Sequence, residues 1–153
     1  MPRVLIVDDE TDVRTLLRTT LGEFGFESEE AGTGQEALAR LQLGTYDLVI
    51  LDLSMPGSDG FDVLEGLDLL PYRPRVAVLT ARTSEEDRQR SYDLGAIDLT
   101  TKPFDPYDFI TKLTGLLQLE DEELERRVKR DMKTSRLVGR LEEIMKRPDP
   151  FDD

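Results

Sequence analysis

Short runs of consecutive apolar residues alternate along the chain with longer segments in which apolar residues recur every three or four positions. A continuous apolar run is typical of a strand covered on both faces, and the helical spacing indicates an amphipathic helix. The pattern predicts five strands that alternate with five helices. The predicted strands are residues 4–7, 26–31, 48–51, 76–79 and 97–101.

Local signals predict where several helices begin and end. A Thr with a Glu three residues later forms a capping box, and an Asp followed by Pro is a common helix start. The predicted starts are Thr33 with Glu36, Thr83 with Glu86, and Asp105 with Pro106. Gly25 and Gly95 are placed to end two helices, and SMPGSDG, residues 54–60, is predicted to be a loop.

This alternation predicts an α/β fold: a doubly wound, five-stranded parallel sheet with right-handed crossovers. Ligands of such open sheets bind at the carboxyl ends of the strands. Polar residues follow four of the predicted strands at that edge: Asp8 and Asp9, Asp52, Thr80, and Lys102.

Three acids at one edge of a sheet need a counter-charge. Two carboxylates about 4 Å apart repel by roughly 4 kcal/mol at an effective dielectric constant near 20. Oxygen ligands in a compact site favour Mg²⁺, which commonly accompanies phosphoryl groups. Lys102 adds a point charge that can pair with a carboxylate or phosphate oxygen. The pattern therefore predicts a magnesium site formed by Asp8, Asp9 and Asp52.

Composition narrows the chemistry further. The chain has 153 residues, 38% of them hydrophobic, a net charge of -13, and neither cysteine nor histidine. Disulfides, thiolate catalysis, imidazole bases and phosphohistidine are thereby excluded. No run is long enough for a signal peptide or a membrane span, so we expect a cytoplasmic protein. The acidic balance argues against a general nucleic-acid or membrane binder.

Four motifs together resemble the receiver domain of bacterial two-component response regulators. They are DDE at 8–10, LDLSMPGSDG at 51–60, LTA at 79–81 and KPF at 102–104, in the family's order. The resemblance covers residues 3–119 and implies a flavodoxin-like receiver fold. It also implies that a sensor histidine kinase or a histidine phosphotransfer protein donates a phosphoryl group to one aspartate.

The resemblance assigns roles to individual residues. Asp52 would be the phosphoacceptor, and Mg²⁺ would be bound by Asp9 directly, by Asp8 mainly through water, and by the backbone carbonyl of Ser54. Thr80 and Lys102 would contact phosphoryl oxygens. The family also implies a cis peptide bond between Lys102 and Pro103, which proline makes accessible. A carboxylate is already ionised at neutral pH, so a histidine-free chain can perform this chemistry.

One position departs from the family pattern. Three positions before the KPF lysine, receivers usually carry an aromatic residue whose ring moves inward when the threonine moves. In this sequence the position is occupied by Leu99. We expect a modest change of surface shape on phosphorylation, because the moving side chain is smaller. The Ser54 hydroxyl and Arg82 are candidates for tuning the lifetime of the phosphoryl group.

The last residues differ from the rest. We expect a receiver at 1–119, a helical extension at 120–147, either one helix or two interrupted near Gly139, and a disordered tail at 148–153. Leu137, Leu141 and Ile144 form a short apolar stripe, which suggests docking or dimerisation but is too short for a coiled coil. A packed or frayed extension is the alternative. The segment is too short for a DNA-binding output domain, so nucleic acid is not an expected partner.

Three functional hypotheses follow. The first is a self-phosphorylating and self-dephosphorylating switch, not a turnover enzyme, that signals to a downstream protein through protein contacts. The second is a scaffold that works without phosphorylation, and the third is a receiver cut from a longer transcription factor. A haloacid-dehalogenase-like phosphatase would need a second acid where Ser54 stands, which argues against it.

Overall fold

Strands and helices alternate along residues 1–146, the part of the chain that this computed structural model describes. The elements, in order, are β1 (Arg3–Val7), α1 (Thr11–Glu23), β2 (Glu27–Ala31), α2 (Gly34–Leu43), β3 (Leu48–Leu51), β4 (Ser54–Met55), β5 (Ser58–Asp59), α3 (Gly60–Gly66), a 3-10 turn (Leu67–Leu69), β6 (Arg75–Thr80), α4 (Glu85–Asp93), β7 (Asp98–Thr101), α5 (Pro106–Gln118) and α6 (Asp121–Lys146).

The central sheet has five parallel strands in the order β2-β1-β3-β6-β7, which confirms the predicted fold. The strand order reverses at β1, so a crevice opens between the carboxyl ends of β1 and β3. β4 and β5 form a separate two-residue hairpin within the segment that was predicted to be a loop. Gly57 makes its turn with a positive φ of 70°, a conformation that favours glycine.

Both faces of the sheet are covered, which explains the continuous apolar runs. Alternate residues of β1, such as Leu5 and Val7, pack with Leu41 and Phe61 on one face. The residues between them, such as Ile6, pack against helices α1 and α5 on the other face. Neither face of the three central strands can therefore accept polar residues, and chemistry is confined to the strand ends.

Two of the three predicted N-cap residues are the observed ones, and the third differs. Thr33 accepts a hydrogen bond from the Glu36 N–H, and Asp105 accepts one from the Asp108 N–H, as expected for N-caps. The prediction that Thr83 caps α4 was wrong: Ser84 is the N-cap and accepts from the Asp87 N–H. Adjacent hydroxyl residues offered two possible caps. The chain uses the second, and the Thr83 carbonyl accepts a hydrogen bond from the Arg88 side chain.

The C-terminal segment forms one continuous helix of 26 residues, so the interruption considered near Gly139 does not occur. α6 packs along α4, and Gly139 is buried in that contact. The stripe of Leu137, Leu141 and Ile144 faces away from α4, and each is more than half exposed.

Arg75 fixes the turn between α5 and α6. Its guanidinium donates to the carbonyls of Leu116 and Leu119, each at 2.7 Å, and to Asp121 at 3.1 Å. The last carbonyls of α5 and the first residue of α6 are thereby tied to the start of β6.

Within residues 1–146, no helix is both long enough and apolar enough to cross a membrane. The tail at 148–153, expected to be disordered, lies outside the described residues.

Candidate functional site

The carboxylates of Asp8, Asp9 and Asp52 converge at the crevice between β1 and β3. One oxygen from each lies within 4.8 Å of the others. The register of the sheet brings them together, because Val7 at the end of β1 pairs with Leu51 at the end of β3. Asp8 and Asp52 are buried, whereas Asp9 is exposed.

Lys102 lies between the two buried acids. Its ammonium group is 2.8 Å from Asp8 Oδ2, 3.0 Å from Asp52 Oδ2 and 3.4 Å from Glu10 Oε2. Burial alone would lower the pKa of Lys102, but the hydrogen bonds to Asp8 and Asp52 outweigh it and raise the pKa above its ordinary value. Lys102 is therefore a permanent cation at neutral pH. The Lys102–Pro103 bond that follows is cis, as the resemblance implied.

Backbone hydrogen bonds orient the two buried carboxylates. Asp8 Oδ1 accepts from the Glu10 N–H at 2.9 Å, and Asp52 Oδ1 accepts from the Ser54 N–H at 3.0 Å. In each case the carboxylate accepts from the backbone N–H two residues later, which is an Asx turn. The turn directs the other oxygen, Oδ2, toward Lys102. Burial raises the pKa of Asp8 even though the hydrogen bond from Lys102 lowers it.

Thr80 ends β6 at the same edge and is completely buried. Its hydroxyl oxygen accepts a hydrogen bond from the Arg82 N–H at 3.2 Å. That bond uses an oxygen lone pair and leaves the hydroxyl hydrogen available for donation.

Arg82 follows Thr80 and is held by acids on both sides. It donates to the two carboxylate oxygens of Asp87 at 3.2 and 3.0 Å and lies 3.6 Å from Asp59. The hydrogen bond to Asp87 raises the pKa of Arg82. The guanidinium carbon also lies 5.2 Å from the centre of the Phe61 ring. The residue proposed to tune phosphoryl lifetime is thus engaged by the starts of α3 and α4.

Leu99 and Ser54 occupy the edges of this region. Leu99, in β7, pairs with Val78 of β6 and is partly buried against the core. The Ser54 side chain is exposed at the start of β4, and its peptide N–H serves Asp52.

Two contributors were missed by sequence reasoning. Glu10 reaches Lys102, although the motif gave it no role. Gly60 is the second: a Cβ there would lie 2.5 Å from the Asp52 carbonyl oxygen and 2.6 Å from Leu53 Cα. The final glycine of SMPGSDG could have suggested this close approach, but we attributed it to a turn.

The residues present fit a divalent cation. Three carboxylate oxygens converge, two of them from buried side chains, and the single charge of Lys102 cannot balance three acids. Oxygen-only ligands of this kind suit Mg²⁺.

Comparison with known proteins agrees with this geometry. A family model described as "Response regulator receiver domain" matches residues 4–114. The chain belongs to the response regulator receiver family. Members of this family act in two-component systems, interact with histidine kinases and downstream effectors, and bind Mg²⁺ at an acidic pocket.

Individual relatives show how far the likeness extends. The transcriptional regulatory protein ResD of Bacillus subtilis is 36% identical over 116 residues, which cover 76% of this chain and 48% of ResD. This receiver chain thus spans about half the length of the curated relatives it matches.

Two solved receiver structures are matched over almost their whole length. A CheY-like receiver domain protein from Methanospirillum hungatei is 29% identical, with a TM-score of 0.72 over 82% of this chain and 98% of that one. The response regulator TrrA of Thermotoga maritima, solved in complex with Mg(2+)-BeF, is 35% identical, with a TM-score of 0.67 over 76% of this chain and 99% of that one.

Proposed function

We propose that this receiver takes a phosphoryl group onto Asp52 from a histidine kinase or histidine phosphotransfer protein. The observation that carries the proposal is the convergence of Asp8, Asp9 and Asp52 around Lys102. It supports a site that attracts a divalent cation and places it, with Lys102, beside one nucleophilic carboxylate.

Asp52 is suited to nucleophilic attack. It is buried, and one of its oxygens is fixed by the Ser54 N–H. A free carboxylate oxygen forms the new bond to phosphorus while the donor's bond to phosphorus breaks, and the leaving group departs with its electron pair. No general base is required, because a carboxylate carries no proton at neutral pH.

The metal would be held by Asp9 directly, by Asp8 mainly through water, by Asp52 and by the backbone carbonyl of Ser54. Mg²⁺ supplies positive charge that offsets the negative charge of the phosphoryl oxygens. The exposure of Asp9 leaves the site open to solvent and to an incoming donor.

Lys102 and Thr80 would receive the modified group. The ammonium group, already 3.0 Å from Asp52 Oδ2, pairs with a phosphoryl oxygen. As its side chain turns toward the phosphoryl group, the Thr80 hydroxyl donates its hydrogen, which the bond from the Arg82 N–H leaves free, to another oxygen. This movement, with Leu99 as its neighbouring switch residue, passes the signal to the protein surface. The protein then acts as a switch that a downstream protein reads, not as a turnover enzyme.

We assign residues 1–119 to the receiver and 120–147 to a helical extension, since α6 begins at Asp121. Transcriptional control by a longer protein is a second candidate. Its support is that ResD and the other curated relatives are transcriptional regulators about twice as long as the matched region.

The test is incubation of the purified chain with acetyl phosphate and Mg²⁺, followed by intact-mass measurement. We expect one phosphoryl adduct, absent from Asp52→Asn and retained in Asp47→Asn, an acid at the opposite end of β3. No adduct would support the phosphorylation-independent scaffold instead. The third hypothesis, a receiver cut from a longer transcription factor, is decided by the reading frame beyond Asp153.

A further inference from the structure

Helix α6 packs along α4, and Arg88 of α4 contacts both α6 and the loop before α4. The Arg88 guanidinium donates to the Thr83 carbonyl at 2.6 Å and to the Ser135 hydroxyl at 2.9 Å. It also lies 3.8 Å from Glu142. The Arg88 side chain is only 14% exposed, whereas Glu142 is half exposed, so the two hydrogen bonds hold Arg88 more firmly than the ion pair does.

A second set of contacts fixes the register of α6 on α4. Gln89 donates to the Met132 carbonyl at 3.5 Å and accepts from Arg136 at 2.9 Å. Gly139 brings α6 against the Glu85 side chain at the start of α4, where an added Cβ would lie 2.8 Å from Glu85 Cγ and that side chain would have to turn away. Polar bonds and close approach therefore make this a specific docked position.

The docked helix covers an apolar part of the receiver. Ala96 and Ile97, at the entry to β7, face Leu124, Val128 and Met132 of α6 across a groove of about 280 Å³. Leu124 is 7% exposed and belongs to the core cluster of α1 and α5. Removal of α6 would expose this surface to solvent.

The loop that Arg88 holds begins at Thr80. Thr80, Arg82 and Thr83 lie within four residues, and the Thr80 hydroxyl is bound to the Arg82 N–H. If the Thr80 side chain turns toward a phosphoryl group on Asp52, its oxygen moves away from the Arg82 N–H, and the loop that this bond anchors moves with it. Thr83 then shifts relative to Arg88, whose other contacts belong to α6.

We infer that α6 is a built-in occupant of the α4–β7 surface, and that modification of Asp52 releases it so that a helix of a partner protein binds there. The inference rests on the proposed function of Asp52. Because coupling between two sites is reciprocal, a substitution that weakens the docking of α6 should also strengthen binding of a phosphoryl mimic at Asp52.

The docking of α6 indicates the chemistry of the partner helix. Helix α6 presents apolar residues at 124, 128 and 132, and then small residues at 135 and 139 that allow close approach. A partner helix with this arrangement, and with an acid placed to meet Arg88, would satisfy the same surface.

The position of α6 can be measured in the full chain, because the sequence contains no cysteine. Spin labels on Thr19→Cys in α1 and Arg140→Cys in α6, both exposed positions, report the distance between the receiver and α6. We expect a narrow distance distribution in the unmodified protein. Mg²⁺ with beryllofluoride, a phosphoryl mimic, should broaden it and shift it to longer distances.

Two variants test the linkage from the side of α6. Gly139→Glu places a carboxylate against Glu85 and should release α6 without the mimic. Val138→Glu adds the same side chain at a position that is 41% exposed and should leave α6 docked. We expect the affinity of Gly139→Glu for beryllofluoride to exceed that of the wild type by at least about fivefold, which is within the usual range of allosteric coupling. Val138→Glu should bind like the wild type.

Ser135→Ala is a milder variant that removes only the hydroxyl acceptor of Arg88. It should broaden the distance distribution and raise the affinity for beryllofluoride, each less than Gly139→Glu does. Agreement between the two variants would show that misfolding of Gly139→Glu does not cause the effect.

The outcomes separate the two proposals. If beryllofluoride does not bind the wild type, the proposed function fails and the inference falls with it. If beryllofluoride binds but the distance distribution stays narrow, or if Gly139→Glu releases α6 with unchanged affinity, the inference alone is overturned. A doubling of molecular mass on activation, by light scattering, would replace the separate partner with a second copy of this chain.

Discussion

The ammonium group of Lys102 lies 3.0 Å from Asp52 Oδ2, although the two residues are 50 positions apart in the chain. The contact joins the end of β7 to the end of β3 across β6. One cation thus holds two buried acids, Asp8 and Asp52, at the edge of the sheet. This relationship makes the acidic site compatible with a stable fold before any metal is bound.

Replacing Lys102 should therefore destabilise the metal-free protein. Lys102→Met leaves Asp8 and Asp52 buried without a cation, and breaking a buried pair in this way costs about 3–5 kcal/mol. Urea unfolding without divalent ions measures the loss, and added Mg²⁺ should recover part of it. Lys133→Met, at an exposed position in α6, should change the free energy of unfolding by less than about 0.5 kcal/mol. Equal effects of the two substitutions would show that Lys102 has no such role.

A side chain at Gly60 should disturb the site through the backbone. The Cβ of Gly60→Ala would meet the Asp52 carbonyl and Leu53 Cα, neither of which can rotate away. We expect a loss of about 1–3 kcal/mol in unfolding free energy and slower formation of the Asp52 adduct.

Gly115 provides the matched control, because a Cβ there has nothing within 4 Å. Gly115→Ala, inside α5, should stabilise the protein by up to about 1 kcal/mol. If both Gly→Ala variants were stabilised, the close approach at Gly60 would not matter.

The pairing of Asp87 with Arg82 should make stability depend on pH. The hydrogen bond from Arg82 lowers the pKa of Asp87 below its ordinary value of 3.8. A lowered folded-state pKa stabilises the fold above the ordinary value, and this stabilisation disappears as pH falls through the folded-state pKa. Asp87→Asn should thus cost about 1 kcal/mol at pH 7 and progressively less below pH 4.

Denaturation of both proteins at a series of pH values between 7 and 3 measures this difference. Asp93→Asn is the comparison, because Asp93 is an exposed acid in the same helix and forms no ion pair within residues 1–146. A gap between wild type and Asp87→Asn that stays constant or widens in acid would refute the assignment.

Leu99 should limit how far the surface changes on phosphorylation. The side chain is already partly buried against the core, and it lacks the ring that receivers usually carry there. We expect beryllofluoride to produce small chemical-shift changes at the Leu99 methyl groups and no slow exchange there, whether or not α6 leaves its contact with Ala96 and Ile97. Relaxation dispersion showing a large millisecond rearrangement around Leu99 would contradict this.

The sequence predicted the elements whose causes are local or follow from burial. The apolar runs of β1, β3 and β6 required strands covered on both faces, and parallel strands place Asp8, Asp9 and Asp52 at one edge. The pairing of Lys102 with two of these acids could be anticipated for the same reason.

Features that depend on the three-dimensional arrangement could not be read in the same way. Thr83 and Ser84 each have an acid three residues later, so the local sequence did not distinguish which of them caps α4. The orientation of α6 was also hidden, because this helix has two apolar stripes. The conspicuous one at Leu137 faces away from α4, and the buried one is interrupted by polar and small residues.

In the proposed site, Asp8, Asp9 and Asp52 hold one Mg²⁺ that readies Asp52 for phosphorylation. The most direct measurement is the rate of adduct formation from acetyl phosphate as Mg²⁺ is varied, in the wild type and in Asp9→Asn. Asp12→Asn, an exposed acid in the first turn of α1, is the control. We predict a rate that saturates with Mg²⁺ in the wild type and in Asp12→Asn, and that falls more than about tenfold in Asp9→Asn. Phosphorylation of Asp52 at the full rate without divalent ions, or in Asp9→Asn, would contradict the account.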